Sequence, residues 1–155
     1  MKTIADELQE HPFFEGLPQD YVEQIAGCGQ NVVYSPNTLM AAEGSEANEF
    51  FIIRKGRVSL QINAAPVGTQ SLQTLDDGDI LGWAWLFPPY RWSTAAMAVQ
   101  QVRAIKLDGK CLRGKCDADP TMGYALMKRF SRIMTERLEA TRLQLLDLYG
   151  RVNAP

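Results

Sequence analysis

The first thirty residues carry hydrophobic positions at helical spacing. Ile4 and Leu8 lie four residues apart, a spacing that predicts a short amphipathic helix. Apolar residues within 21–26 recur in the same way after Pro18, so a second short helix is expected to begin at this proline. We therefore expect residues 1–29 to form N-terminal helices.

Between residues 30 and 107 the pattern changes to short apolar runs separated by glycine, proline, asparagine and aspartate. Val58, Leu60 and Ile62 alternate with polar neighbours, which is the period of a half-buried strand. Several short strands at regular spacing are typical of a closed or rolled antiparallel sheet. The segment 30–107 is therefore predicted to be the β part of the fold.

A long uninterrupted helix is predicted near the C-terminus. Residues 108–119 suit one short helix, and Asp119 followed by Pro120 is a typical helix start. No proline intervenes before Gly150, which is expected to end a helix of about 28 residues, roughly 42 Å long. Apolar positions recur along it at spacings of three and four: Leu126, Phe130, Ile133, Met134, Leu138, Thr141, Leu145 and Leu148.

Such spacing is typical of a coiled coil. It predicts that the helix over residues 121–149 joins two copies of the chain in a parallel homodimer. The alternative, in which this helix packs only on its own domain, stays open at this point. Residues 153–155 are expected to form a tail.

The size and composition of the chain limit the number of domains and the classes of partner. The chain of 155 residues suits a single domain, 1–155, in which 108–150 supply the C-terminal helices. A net charge of −2 gives no electrostatic reason to expect nucleic acid or an anionic membrane as a partner. Because no export signal or membrane-spanning run is visible, we expect a cytoplasmic protein.

The cysteines and the one histidine are expected to be structural. Three cysteines do not indicate a disulfide framework. Cys111 and Cys116 lie five residues apart and Cys28 is distant in sequence. We therefore expect the cysteines to be small apolar residues buried in the core. His11 is expected to pack or cap near the N-terminus. A single histidine is too few for a histidine-rich metal site and argues against histidine-centred catalysis. We therefore expect that the protein is not an enzyme.

The stretch over residues 78–94 contains the residues that are candidates for ligand binding. Gly78 and Gly82 flank a short apolar run, and a helix-like segment and a proline-broken loop follow. Glycine permits close backbone approach, and a helix start presents unpaired N–H groups. The stretch is therefore a candidate cradle for an anion, and Ser93 and Thr94 begin a strand of small residues after it.

Four segments match a known family in order and approximate spacing: residues 11–17 (HPFFEGL), 43–47 (EGSEA), 51–58 (FIIRKGRV) and 75–82 (LDDGDILG). Together they resemble the cyclic-nucleotide-binding domain of the catabolite activator protein and its relatives, over about residues 10–149. The resemblance implies a mainly β fold with flanking helices. An antiparallel eight-stranded β-roll of the jelly-roll type would be followed by a long C-terminal dimerisation helix.

Relatives that regulate transcription append a helix-turn-helix domain after the long helix. The sequence continues for only five residues after Gly150, which leaves no room for a recognition helix. We therefore expect either a stand-alone module or a fragment of a longer protein, and no contact with DNA from this chain.

The resemblance places two tryptophans in the family's phosphate-binding segment. Ligand-binding relatives have a glutamate after the second glycine, where this chain has Trp83, and an arginine before Ser93, where it has Trp92. An indole cannot accept a hydrogen bond from a ribose hydroxyl as a carboxylate does. Losing both charge-assisted bonds costs about 3–6 kcal/mol, which turns micromolar binding into millimolar.

Arg91 lies one residue before the family's arginine position. Neighbouring residues of a strand face opposite sides, so Arg91 reaches the pocket only through a local irregularity. Allowing for that irregularity, the residues expected to contact a ligand are Gly82, Trp83, Ala84, Arg91, Ser93 and Thr94.

The resemblance implies a non-catalytic regulatory module that senses a ligand and signals through its long helix. The occupant stays open between cyclic AMP or cyclic GMP held in an altered way, another small anionic or aromatic ligand, and no ligand. The alternative function is a ligand-free β-roll that acts as a scaffold for a protein partner. A buried Trp83–Trp92 pair favours the scaffold, and an open cleft beside Gly82 and Ser93 favours the sensor.

Overall fold

Eight antiparallel strands form the centre of the fold in the computed structural model, which describes residues 1–152. The strands are β1 (Gly29–Tyr34), β2 (Leu39–Ala41), β3 (Glu49–Lys55), β4 (Val58–Asn63), β5 (Thr69–Leu75), β6 (Ile80–Leu81), β7 (Ala95–Ala98) and β8 (Val102–Asp108). They pair as two four-stranded sheets, β1-β8-β3-β6 and β2-β7-β4-β5. The expected mainly β fold with an eight-stranded antiparallel roll is confirmed.

Four helices flank the roll: α1 (Ile4–Glu10), α2 (Gln19–Ala26), α3 (Gly109–Ala118) and α4 (Pro120–Val152). Helix α1 begins with a capping box, in which the Thr3 hydroxyl accepts from the Asp6 amide and the Asp6 carboxylate accepts from the Thr3 amide. Both short N-terminal helices expected from the apolar spacing are present. No helix within residues 1–152 has the length and apolar character needed to cross a membrane.

Strand β3 separates two hydrophobic cores. Phe50 and Ile52 pack with the helices, whereas Phe51 and Ile53 point into the interior of the roll. Because side chains alternate along a strand, a strand buried on both faces needs the continuous apolar run that this segment has. At β3, therefore, only one layer of backbone lies between the helical core and the interior of the roll.

His11 connects the N-terminal turn to the roll. Its Nδ1 accepts a hydrogen bond of 3.0 Å from the Phe13 amide, and its Nε2 donates one of 2.6 Å to the Gly78 carbonyl. The expectation that this histidine caps and packs is confirmed. The second bond attaches the turn to the loop that leads into the candidate site.

The structure corrects the expectation for two of the cysteines. Cys28 and Cys111 form a disulfide with a Cα–Cα distance of 5.9 Å. Antiparallel pairing places Gly29 opposite Leu107, so the residue before β1 comes close to the first turn of α3. The expectation that Cys28 and Cys111 are unpaired apolar residues, which relied on their separation in sequence, is therefore wrong. Cys116 is a free, partly buried thiol, and burial raises its pKa.

Helix α4 spans 33 residues, longer than expected. The prediction that Gly150 ends it is wrong, because the helix continues to Val152. Gly150 has open space around it, so it costs the helix only its own propensity, about 1 kcal/mol relative to alanine. The tail expected at residues 153–155 lies outside the described residues.

The apolar stripe of α4 divides into a buried and an exposed half. Leu126 and Phe130 are fully buried against the helical core. Leu138, Leu145 and Leu148 are 52 %, 49 % and 56 % exposed. The first half of the helix therefore belongs to the fold of the domain, and the second half presents an apolar face without a covering element among residues 1–152.

Candidate functional site

A cavity of about 270 Å³ lies between the roll and α4. The segment from β6 to β7 contributes Gly82, Trp83, Ala84, Trp92, Ser93 and Thr94 to its lining. Helix α4 contributes Met134, Arg137, Leu138 and Thr141, and β4 and β5 contribute Leu60, Leu72 and Gln73. A molecule in this cavity would touch the roll and the long helix at once.

The backbone around Trp92 fixes which side chains face the cavity. The Trp92 amide donates to the Ser45 carbonyl at 2.9 Å, and the Gly44 amide donates to the Trp92 carbonyl at 2.8 Å. Arg91 forms an isolated antiparallel bridge with Glu46. This pairing keeps the alternation of a strand, so Trp92 points inward and Arg91 outward.

Arg91 is therefore exposed and does not line the cavity. Its Nη1 donates to the Gly44 carbonyl at 3.1 Å. Tyr90 has a φ of +53°, but the pairing of Arg91 and Trp92 keeps Arg91 outward, so the expectation of an Arg91 contact in the cavity is corrected. The five other residues expected at the site, Gly82, Trp83, Ala84, Ser93 and Thr94, do come together in its wall.

Trp92 fills part of the roll interior. Its side chain is 5 % exposed, and its ring lies 6.5 Å from the ring of Phe51. A Cβ at Gly82 would meet the Trp92 indole at 2.6 Å, and Gly82 has a φ of +100°. Only glycine suits both the close contact and this conformation. The indole and the glycine therefore form one packed unit.

Trp83 remains half-buried at the cavity wall, facing a cation from α4. The guanidinium carbon of Arg137 lies 5.0 Å from the centre of the Trp83 ring, a cation–π contact. Arg137 also donates through Nη2 to the Ile80 carbonyl. Burial lowers the pKa of Arg137 to about 10, and the charges of Asp79 and Glu136 oppose that shift. Arg137 is therefore cationic at neutral pH.

Arg137 is the site residue that the sequence did not indicate. It precedes Leu138 of the apolar stripe. From the sequence, it is one of several charged residues that flank this stripe. Its role depends on where α4 lies against β6, and nothing in the local pattern specifies that placement.

Hydrogen bonds from β5 hold the middle of α4 beside the cavity. Gln73 donates to the Arg137 carbonyl at 3.3 Å, and Gln144 donates to the Leu72 carbonyl at 2.6 Å. These side-chain contacts replace the apolar packing that fixes the first half of the helix. Polar contacts of this kind, exposed to water, are individually weak, about 0.5–1.5 kcal/mol each.

The loop between β6 and β7 is anchored to α3 by Arg113. Its Nη1 donates to the Trp85 carbonyl at 2.6 Å, and its Nη2 donates to the Asn48 side chain at 3.2 Å. The guanidinium carbon also lies 4.1 Å from the centre of the Tyr90 ring. The basic residues of α3 thus include one, Arg113, that positions the site.

Trp85 links the same loop to α4. It is fully buried, stacks on Phe50 at 5.2 Å and meets Phe130 edge-on at 5.4 Å. The loop therefore packs on α4 through an aromatic cluster and also lines the cavity together with α4. Within residues 1–152 no group of three or more histidine, cysteine or acidic side chains is placed to hold a metal ion.

This geometry agrees with a match to known sequences. Residues 31–119, more than half of the chain, match the family described as Cyclic nucleotide-binding domain. The chain belongs to this family. Its match covers the roll and the loop that forms the cavity wall.

Relatives of this domain family include transcriptional regulators. The chain is 26 % identical over 136 residues to a CRP-like cAMP-activated global transcriptional regulator of Mycobacterium tuberculosis. The aligned part covers 87 % of this chain and 58 % of the regulator, so the chain spans little more than half the length of that relative.

Solved structures of the family share the fold. A cyclic nucleotide-binding domain from Methylobacillus flagellatus KT superposes with a TM-score of 0.79 at 16 % identity, covering 94 % of this chain and 82 % of that one. The catabolite activator protein of Thermus thermophilus gives a TM-score of 0.70 at 20 % identity, covering 89 % and 63 %. At these identities the likeness concerns the fold alone.

Proposed function

We propose that this cyclic-nucleotide-binding-type domain is a non-catalytic regulatory module whose ligand occupies the cavity between the roll and α4. The observation that carries the proposal is the shared lining of this cavity by the loop segment 82–94 and by α4. A ligand there would shift the position of the helix if it binds two arrangements with different affinity.

The contacts around the cavity support such coupling. The first half of α4 is fixed by buried residues such as Phe130. The part beside the cavity is held instead by the polar contacts of Gln73, Gln144 and Arg137. Weak polar contacts can exchange at low cost when a ligand enters. The signal would then be a change in the angle or order of the second half of α4.

Cyclic AMP and cyclic GMP are expected to bind weakly in this module. Relatives that bind these nucleotides use a glutamate and an arginine where this chain has Trp83 and Trp92. The Trp92 ring is buried against Gly82, and Arg91 points away from the cavity. With both charged partners lost, we expect dissociation constants in the millimolar range.

A titration with cyclic AMP and cyclic GMP tests this expectation. Tryptophan fluorescence reports on Trp83 and Trp92 at the cavity, and calorimetry gives the affinity directly. Saturable binding below about 100 μM would contradict the weak-binding expectation. If millimolar nucleotide produces no heat and no fluorescence change, these nucleotides are not the ligands of the module.

The burial of Trp92 favours a second candidate function. A roll whose interior is closed by its own side chain could act as a ligand-free scaffold for a protein partner. The two functions differ in how α4 responds to small molecules. A scaffold would show no ligand-dependent change in hydrogen exchange along 134–144, whereas a sensor would.

We further propose that the exposed half of α4 meets the same half of a second chain in a parallel homodimer. Leu138, Leu145 and Leu148 continue the spacing of three and four beyond the part that packs on the domain. A second copy presents the identical stripe, which makes the pairing self-complementary. With its net charge of −2, the module is not expected to touch DNA or membranes itself.

A further inference from the structure

Arg137 is a partly buried cation with no carboxylate partner at ion-pair distance among the described residues. Its guanidinium lies against Trp83 and under the carbonyl of Ile80. None of the ion pairs formed within residues 1–152 includes Arg137. The bond to Ile80 uses one of the five N–H groups that a guanidinium offers.

A charge that is partly withdrawn from water and lacks an opposite charge is costly to a protein. Desolvation is the largest cause of the lowered pKa of Arg137, and the nearby charges of Asp79 and Glu136 only oppose it. Because Arg137 also lines the cavity, an anion inside the cavity could pair with it. The remaining N–H groups suit a carboxylate, which accepts two parallel hydrogen bonds from a guanidinium.

The rest of the cavity favours an aromatic body for this anion. Trp83, Met134 and Leu138 supply apolar walls beside Arg137, with the buried Trp92 ring opposite. The volume of about 270 Å³ lies just under the range of about 300–1,000 Å³ that is usual for ligand pockets. It suits one or two fused rings better than a base, a ribose and a phosphate together.

We propose that the cavity binds a small aromatic monoanion whose carboxylate pairs with Arg137 and whose rings lie among Trp83, Met134 and Leu138. This inference rests on the proposed ligand-sensing function and specifies the chemical class of the ligand. The carboxylate is held by α4 rather than by the loop 82–94. The charge of the ligand therefore acts directly on the helix that moves.

The test compares two probes of the same shape and different charge. Naphthalene-2-carboxylate and its neutral amide are titrated into the full chain, with tryptophan fluorescence and calorimetry as readouts. The carboxylate is expected to bind at least about 10-fold more tightly, which is the effect of one charge-assisted bond. Equal affinities for the two probes would overturn the assignment of Arg137 as an anion partner.

Variants of two arginines on the same helix locate the effect. Arg137→Gln should abolish the preference for the carboxylate, and Arg132→Gln, a change of an exposed arginine on α4, should leave it intact. A loss of preference in both variants would contradict the proposal. Circular dichroism checks that each variant folds, and the two-probe comparison on the unaltered protein needs no variant at all.

The outcomes separate this inference from the function on which it rests. If cyclic AMP binds and shifts hydrogen exchange in α4 while the carboxylate does not bind, the aromatic-anion assignment is overturned and ligand sensing stands. If the carboxylate binds with the expected preference but leaves exchange in α4 unchanged, the ligand class is supported and the coupling to α4 is overturned.

Discussion

The Trp92 side chain forms part of the cavity wall and part of the roll interior. Its ring lies against Gly82. The packing of a large, nearly buried aromatic ring should contribute strongly to stability, as large-to-small changes in cores generally show.

Replacing Trp92 with alanine should therefore destabilise the domain by about 3–5 kcal/mol. Chemical denaturation followed by circular dichroism measures this change. Arg91→Ala, one residue away and exposed, is the matched control and should change stability by less than about 0.5 kcal/mol. Similar effects for both residues would contradict the inward and outward placement of the two side chains.

Arg113 offers a prediction about local order. Removing its guanidinium in Arg113→Met takes away the hydrogen bonds to Trp85 and Asn48 and the contact with Tyr90. We expect a loss of about 1–3 kcal/mol and faster amide exchange in residues 84–92. Exchange mass spectrometry checks this, with Lys110→Met on the exposed side of α3 as the control.

The residue-scale expectations that succeeded depended on local rules. His11 before a proline suits a cap, and the structure has it as one. The expected Arg91 contact was wrong, because strand alternation turns Arg91 outward beside the inward-facing Trp92. Arg137 was missed because its role depends on contact between residues that are 57 positions apart. A sequence pattern describes the face of a helix but does not specify what that face will meet.

At the scale of elements, the exposed half of α4 carries the prediction of a dimer. Leu145→Lys together with Leu148→Lys places two charges in the stripe and should convert a dimer to a monomer. Light scattering at micromolar concentration measures the mass. Tyr124→Lys, an exposed position in the first part of α4, should leave the mass unchanged. A monomer before any substitution would remove the dimer proposal.

The disulfide between Cys28 and Cys111 joins the start of β1 to α3 across 83 residues of chain. Closing a loop of this length restricts the unfolded chain and typically contributes about 2–4 kcal/mol. Cys28→Ser should therefore lower the midpoint of thermal unfolding by roughly 5–15 °C. Cys116→Ser, which removes the free thiol, should have a much smaller effect.

The elements also differ in how visible they are in the sequence. Strand β3 is readable because burial on both faces requires four apolar residues in a row. Strand β5 is almost entirely exposed, so its sequence TQSLQTL carries no alternation of buried and exposed positions. Its place is set by pairing with β4 and by its glutamine contacts with α4.

At the scale of the whole molecule, the arrangement predicts coupled stabilisation of the roll and the long helix. A ligand that binds only the folded state stabilises it by about 2.7 kcal/mol at a concentration 100 times its dissociation constant. With naphthalene-2-carboxylate as the probe, we expect a higher unfolding temperature and slower exchange in both 82–94 and 134–144. Protection confined to the roll would contradict the coupling to α4.

The fold was predictable at this scale because its parts follow one another along the chain in a recognisable order. Short apolar runs between turn residues predicted a rolled antiparallel sheet, and regular apolar spacing predicted the long helix. The number of strands came from the resemblance to a known family. The cavity was not predictable in the same way. Its contents depend on side chains such as Trp92 and Arg137, which can change while the backbone stays the same.

The contact between Trp92 and Gly82 also constrains how the sequence of this domain can change over time. A change of Trp92 to arginine alone would bury an unpaired charge in the roll, a severe defect. A glutamate at Trp83 would instead find the cation of Arg137 nearby. A lineage that moves between this pocket and a nucleotide pocket is thus expected to change position 83 first, and intermediate sequences should carry glutamate at 83 with tryptophan at 92.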